Sequence, residues 1–109
     1  AAAMSETNKL FHAAIGAACG NAHVQSWYDG LLNSSMRLAR VAYEQAPLHG
    51  SAYKQYYPPV DSEHRGMVDA ITRQDPDAAE QLARQHAVLF RDRVISYLSE
   101  SRSDEIDVQ

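Results

Sequence analysis

The stretch that decides the fold is DSEHRGMVDAITRQDPDAA, residues 61–79, together with His86 beyond it. Pro76 cannot continue the helix before it but suits the first turn of the helix after it, so Asp75-Pro76 predicts a break between two helices. His64 lies 11 residues before Asp75, and His86 lies 11 residues after it. At about 1.5 Å of rise per residue, both lie about 16 Å along their helices. A short turn between antiparallel helices therefore predicts that these histidines lie level with each other.

Length and composition indicate a single domain over residues 1–109, with 45% hydrophobic residues and no apolar run long enough for a membrane span. The net charge of −4 argues against contact with nucleic acid by this chain itself, since such binders carry a basic face. Cys19 is the single cysteine, which excludes a disulfide framework and cysteine-rich zinc motifs. It is expected to be a small buried residue. These features predict a cytoplasmic domain.

The rest of the chain predicts an all-α fold, an antiparallel bundle of four helices. The first helix is expected over residues 5–19, and Gly20-Asn21 separates it from a second helix over 22–45, which Pro47 ends. Residues 46–60 are expected to form a loop before a third helix that begins near Asp61. The fourth helix is expected over 76–99, followed by a frayed tail over 100–109. Three- and four-residue spacings predict these inner faces: Val24, Trp27, Tyr28, Leu31, Ser35, Leu38, Ala39 and Ala42 in the second helix; Met67, Val68 and Ile71 in the third; Ala79, Leu82, Ala83, His86, Leu89, Phe90, Val94 and Tyr97 in the fourth.

Three histidines, His12, His64 and His86, occupy core-facing helical positions, and Asn8 lies one turn from His12. Each could be a hydrogen-bonded core residue. Burying several imidazoles is costly, however, and a divalent metal removes that cost. Imidazole suits Zn, Ni, Co, Mn and Fe, of which Zn is the first expectation, and helical bundles commonly assemble such sites from facing helices. His23 and His49 are expected to be solvated.

No catalytic arrangement stands out, and the chain has no Gly-rich phosphate loop and no H-E-x-x-H motif. We therefore expect a protein that is not an enzyme. Two alternatives remain: a metal-dependent hydrolytic enzyme, in which the same ligands activate water, and a purely structural helical bundle.

Several fragments occur in a characteristic order: Asn8-Lys9-Leu10-Phe11-His12, Ala18-Cys19-Gly20-Asn21, Glu63-His64-Arg65, Asp69-Ala70-Ile71 with Asp75, and Ala79 with His86. Together they resemble the FCD domain, the C-terminal effector-binding domain of FadR-type regulators in the GntR family. The resemblance implies an all-helical bundle that senses a small carboxylic or sugar acid. It also implies a divalent metal held by Asn8, His12, His64 and His86, the residues that helical spacing selects.

The chain departs from the family pattern in two respects. Asn8 stands where aspartate is commoner, which removes a negative charge and is expected to weaken metal binding. The family's opening helices and its N-terminal DNA-binding domain have no counterpart in this sequence, so the resemblance implies a partial domain. Apolar faces that those helices would cover predict self-association, as a homodimer or a larger assembly.

Overall fold

The computed structural model of the chain describes residues 2–44 and 49–107, and the side chains of residues 6–40 and 59–99. It contains four helices: α1 (Ala2–Ala18), α2 (Ala22–Glu44), α3 (His49–Thr72) and α4 (Pro76–Asp107). The described ranges contain no strand, which confirms the all-α prediction. The helices form two compact units, residues 1–41 and 42–109. None of the described helices is both long and apolar enough to cross a membrane.

The turn between α1 and α2 follows the predicted pattern. Gly20 has a φ of 71°, the left-handed conformation that glycine adopts without a steric penalty. The side-chain oxygen of Asn21 then caps α2, accepting hydrogen bonds from the backbone N–H of His23 at 3.0 Å and of Val24 at 3.1 Å. Cys19 is exposed rather than buried, because it lies in this turn and not on the inner face of a helix.

The turn between α3 and α4 confirms the break predicted at Asp75-Pro76. Gln74 has a φ of 55°, and its N–H donates to the carbonyl of Ile71, while the N–H of Asp75 donates to the carbonyl of Ala70, both at 3.0 Å. These bonds satisfy carbonyls at the end of α3. Asp75 Oδ1 accepts from the N–H of Ala78 at 3.1 Å, so Asp75 caps α4.

The predicted boundaries were wrong at three places. The loop expected over 46–60 is helical from His49 onward, while residues 45–48, including Pro47, lie outside the described residues. The Pro58-Pro59 pair lies within α3 without ending it. Proline has a φ compatible with a helix, although it removes an N–H donor and crowds the preceding turn. α1 begins at Ala2 rather than residue 5, since alanine is the best helix former. α4 continues to Asp107, because nothing after residue 99 breaks a helix; fraying of 100–109 stays a prediction.

α3 and α4 pack against each other in the second unit. Met67, Ala70, Val94 and Tyr97 are buried. This confirms the role of Met67 and the inner face of α4 at Val94 and Tyr97, whereas Ala83, also predicted to face inward, is exposed. The inner face predicted for α3 was partly wrong. Val68 and Ile71 are about half exposed, at 47% and 52%, and Ala70 is fully buried in their place. Ala70 has a small side chain, which allows α4 to approach closely at this position.

The inner face predicted for α2 was wrong over most of its length. Leu32 and Ala39 are buried, and Tyr28 is half-buried. Exposed apolar side chains form a row along α2, which we call the α2 stripe: Val24, Trp27, Leu31 and Leu38. The apolar surface of α2 is broader than one neighbouring helix can cover, and spacing alone does not say which part is covered.

Candidate metal centre

In the first unit, α1 places Asn8 and His12 one turn apart on the same helical face. His12 Nδ1 and the Tyr28 hydroxyl form a hydrogen bond of 3.1 Å between α1 and α2. The approach of Tyr28 depends on Gly16, one turn further along α1. A Cβ atom at Gly16 would lie 2.6 Å from Cδ1 of the tyrosine ring, closer than real Cβ contacts. Gly16 therefore allows α2 to bring a hydroxyl to His12.

Asn8 contacts α2 through its amide nitrogen, which donates to Met36 Sδ at 3.5 Å. This contact does not use the amide oxygen of Asn8, which is the atom that a metal ion would bind. Burial is the larger reason, and the Asp29 carboxylate the smaller one, why the pKa of Tyr28 is raised. The hydroxyl beside His12 is therefore neutral at physiological pH.

In the second unit, α3 and α4 bring His64 and His86 side by side. Their ring centroids are 4.9 Å apart and the ring planes meet at 67°. The level placement that the symmetric spacing about Asp75 predicts is therefore confirmed. The His86 side chain is only 14% exposed. Two imidazoles in contact in a partly buried position are typical of a polar site rather than of a hydrophobic core.

Three charged or polar side chains form a cluster that connects the two helices; we call Glu63, His86 and Arg93 the Glu63 network. His86 Nδ1 donates to Glu63 Oε1 at 2.7 Å. Arg93 Nη1 donates to the same oxygen at 3.2 Å, and Arg93 Nη2 donates to Glu63 Oε2. The arginine thus binds both carboxylate oxygens. All three side chains are 10–17% exposed, so solvent screens this network far less than it screens a surface ion pair.

The network and the neighbouring ring change two pKa values. Burial by itself would raise the pKa of Glu63, but hydrogen bonds and charge from Arg93 and His86 outweigh it and lower that pKa. Burial, and then the charge of His86, lower the pKa of His64, although Glu63 and Asp61 act in the opposite direction. Glu63 is therefore ionised and His64 neutral at physiological pH.

The structure places each predicted residue within its own unit. His64 and His86 come together in the second unit, while Asn8 and His12 share a face of α1 in the first. His23 is exposed, as predicted, and the side chain of His49 lies outside the described residues.

Sequence reasoning missed Tyr28 as a partner of His12, and it gave Glu63 and Arg93 no role in the site. The signal for the last two was present. Arg93 lies seven residues after His86, two turns along the same face of α4, and Glu63 directly precedes His64. Opposite charges at these two positions allow an ion pair across the hairpin once His64 and His86 are placed together.

The residue types and their hydrogen bonds suit a divalent metal. Imidazole nitrogens and an amide oxygen are donors that Zn and neighbouring transition metals accept. His86 donates one ring N–H to a carboxylate. Metal-binding histidines almost always donate their second ring N–H to a carboxylate, a backbone carbonyl or water, which fixes the ring and makes the other nitrogen more basic. The residues present therefore fit the metal that the sequence predicts.

The helices and this histidine–carboxylate cluster define an all-α domain with a polar site built on helix faces. The model of the FCD domain family matches residues 1–88, and the chain belongs to that family. FCD domains are the effector-binding C-terminal domains of GntR-family transcription regulators. No curated protein and no solved structure matches the chain.

Proposed function

We propose that the chain is the ligand-sensing and dimerisation domain of a bacterial GntR-family regulator, with a divalent metal held by Asn8, His12, His64 and His86. A small carboxylic or sugar acid binds beside the metal. Its binding changes the geometry of a homodimer and thereby the affinity of the DNA-binding domain for DNA. Such coupling requires that the acid bind one dimer geometry more tightly than the other.

The observation that carries the metal proposal is the contact between His64 and His86 beside the ionised Glu63. Metal ions bind neutral imidazole. The lowered pKa of His64 keeps that ring neutral at physiological pH, so no proton has to leave it before a metal binds. The contact therefore supplies a pair of nitrogen donors in a form that binds Zn.

The charge of the proposed ligand set supports an acidic effector. Three neutral imidazoles and the Asn8 amide leave both positive charges of a divalent metal uncompensated. An organic acid supplies a negative charge and an oxygen donor, so its carboxylate is attracted to such an ion. An aspartate in place of Asn8 would neutralise part of that charge before the effector arrived.

Thermal unfolding of metal-free protein, with and without added Zn or Ni, tests the metal proposal. At a metal concentration 100 times Kd, binding stabilises the native state by about 2.7 kcal/mol. We expect this stabilisation in the wild-type protein and in the matched control His23→Ala, whose side chain is exposed. We expect none in His64→Ala. A wild-type protein without any metal-induced shift would contradict the proposal.

Carboxylic and sugar acids, screened in the same assay, test the effector proposal. We expect the active acid to raise the midpoint of the metal-loaded protein further and to have little effect on metal-free protein or on His64→Ala. An acid that stabilises all three samples equally would bind somewhere other than the metal.

The α2 stripe supports the homodimer. Trp27 and Leu31 are 70% and 69% exposed, and such side chains in a row are typical of surfaces that bind another protein. We expect sedimentation equilibrium to give a dimer for the wild-type protein and a larger fraction of monomer for Leu31→Glu. A monomeric wild-type protein at high micromolar concentration would contradict this part of the proposal.

A further inference from the structure

We propose that Glu63, held in place by Arg93, is a positioning residue that determines which nitrogen of His86 carries the hydrogen. This inference deepens the proposed metal site and rests on it for its purpose, but not for its geometry. Glu63 itself is not proposed as a ligand.

The chemistry of the Glu63–His86 contact fixes the tautomer. The ionised Glu63 carboxylate only accepts hydrogen bonds, so His86 Nδ1, at 2.7 Å from Oε1, has to be the donor. In the neutral ring the hydrogen is then on Nδ1, and Nε2 carries the lone pair. The lone pair is what a metal ion binds, so Glu63 selects Nε2 as the ligand atom.

Arg93 holds the Glu63 carboxylate in the orientation in which it accepts from His86. A carboxylate held by a single contact can rotate, but Arg93 donates to both oxygens of Glu63 and so fixes the plane of the group. Oε1 accepts from Arg93 and from His86 together, which ties two points of α4, two turns apart, to one residue of α3. The ring of His86 is therefore held in orientation as well as in tautomer.

A purely structural role is the competing explanation, in which the ion pair only joins α3 to α4. The two roles predict different effects when the acceptor is lost. A structural ion pair affects stability and leaves the tautomer of His86 unchanged. A positioning residue affects the tautomer and the metal affinity, beyond any change in stability.

Nitrogen NMR of the imidazole rings in metal-free protein at about pH 8 distinguishes the two roles, because protonated and unprotonated ring nitrogens have very different chemical shifts. In the wild-type protein we expect His86 to carry its hydrogen on Nδ1. In Glu63→Leu, which has no acceptor, we expect a shift toward the Nε2–H tautomer. In Glu63→Gln the amide oxygen still accepts, so we expect the wild-type tautomer to be largely rescued. Glu80→Gln, an exposed acid on α4, is the control and should change nothing.

Zn titration of the same proteins gives a second measurement. Loss of such a partner typically weakens metal binding about 10- to 100-fold, and we expect this for Glu63→Leu, a smaller loss for Glu63→Gln and none for Glu80→Gln. Circular dichroism confirms that each variant is folded.

Three outcomes decide between the roles. A wild-type His86 with its hydrogen on Nε2 would overturn the inference without any variant, even if Glu63→Leu failed to fold. A folded Glu63→Leu protein that kept the Nδ1–H tautomer would overturn it too. If instead the tautomer behaved as expected but no protein bound Zn, the positioning role would stand and the proposed metal function would fail.

Discussion

The two units orient a histidine in different ways, and the difference is one of charge. In the first unit a neutral hydroxyl from Tyr28 reaches His12 across Gly16. In the second unit an ionised carboxylate from Glu63, itself bound by Arg93, reaches His86. A hydroxyl fixes the position of a ring, whereas a carboxylate also stabilises positive charge on it and raises its basicity as a ligand. The first arrangement depends on the shape of the helix contact, and the second depends on an ion pair.

The largest effect is expected from breaking the ion pair. Arg93→Met leaves the Glu63 carboxylate with a single side-chain partner in a position where it is only 17% exposed. Removing one partner of a buried pair costs about 3 kcal/mol, and we expect the free energy of unfolding to fall by about that amount. Arg84→Met is the control: Arg84 is 78% exposed in its pair with Glu80, and such pairs contribute less than about 1 kcal/mol. If urea unfolding showed the same decrease in the free energy of unfolding for both variants, the buried ion pair would not contribute more than the surface pair.

A substitution in the first unit tests the shape-dependent contact. Gly16→Ala places a methyl group where Cδ1 of Tyr28 would be 2.6 Å away, so the ring has to move. Overpacking of this kind costs about 1–3 kcal/mol. Gly30→Ala is the matched control, because a Cβ there meets no atom within 4 Å and alanine favours a helix by about 1 kcal/mol. We therefore expect opposite signs in thermal unfolding, and a stabilised Gly16→Ala protein would show that the contact is not tight.

Acid is expected to destabilise the second unit in two steps. The pKa of His64 in the folded protein is below its ordinary value of 6.5, so the unfolded chain binds more protons and stability falls as the pH decreases below about 6.5. The pKa of Glu63 is also lowered, from 4.5, and its contribution is lost as the pH falls further, through the folded pKa. Tyr28 stays neutral throughout. Urea midpoints of metal-free protein should decrease in both pH ranges, and His64→Leu should remove the decrease in the first range only.

The smallest effect concerns the two turns. Gly20 and Gln74 both have a positive φ, at 71° and 55°, but only the first is a glycine. A side chain in this conformation costs about 1–2 kcal/mol, which the greater freedom of glycine in the unfolded chain partly offsets. We expect Gln74→Gly to stabilise the protein by about 0.5 kcal/mol and Gly20→Gln to destabilise it by more than this amount. A lower unfolding midpoint for Gln74→Gly, or a higher one for Gly20→Gln, would show that the positive φ does not determine the stability of these turns.

Sequence reasoning predicted the placement of His64 and His86 better than the exposed face of α2, for a physical reason. The level placement of His64 and His86 depends on the helical rise and the position of one turn, which are local properties. The exposure of Trp27 and Leu31 depends on how much of α2 is covered by neighbouring helices, and the spacing of apolar residues does not show this. The helical start at His49 was not predicted because glycine and proline disfavour a helix, although neither of them prevents one in α3.

The buried contacts of Glu63 were missed for a related reason. Charged residues are usually expected at the surface, and only the partner on the other helix makes burial favourable. In the sequence, Arg93 is one of ten basic residues. Its position two turns from His86 distinguishes it only once His86 is placed in a site.

The bidentate contact from Arg93 has a consequence for metal selectivity. Magnesium and calcium bind oxygen donors, above all carboxylates, and a carboxylate next to His64 and His86 would otherwise be available to them. Because both oxygens of Glu63 are bound by a guanidinium, the nearest negative charge acts as a hydrogen-bond acceptor rather than as a ligand. The proposed ligands that remain in the second unit are the nitrogens of His64 and His86, and imidazole nitrogen suits zinc, nickel and cobalt rather than magnesium. At the proposed metal site, we therefore expect the arginine that stabilises the hairpin to favour transition metals over the common cellular cations.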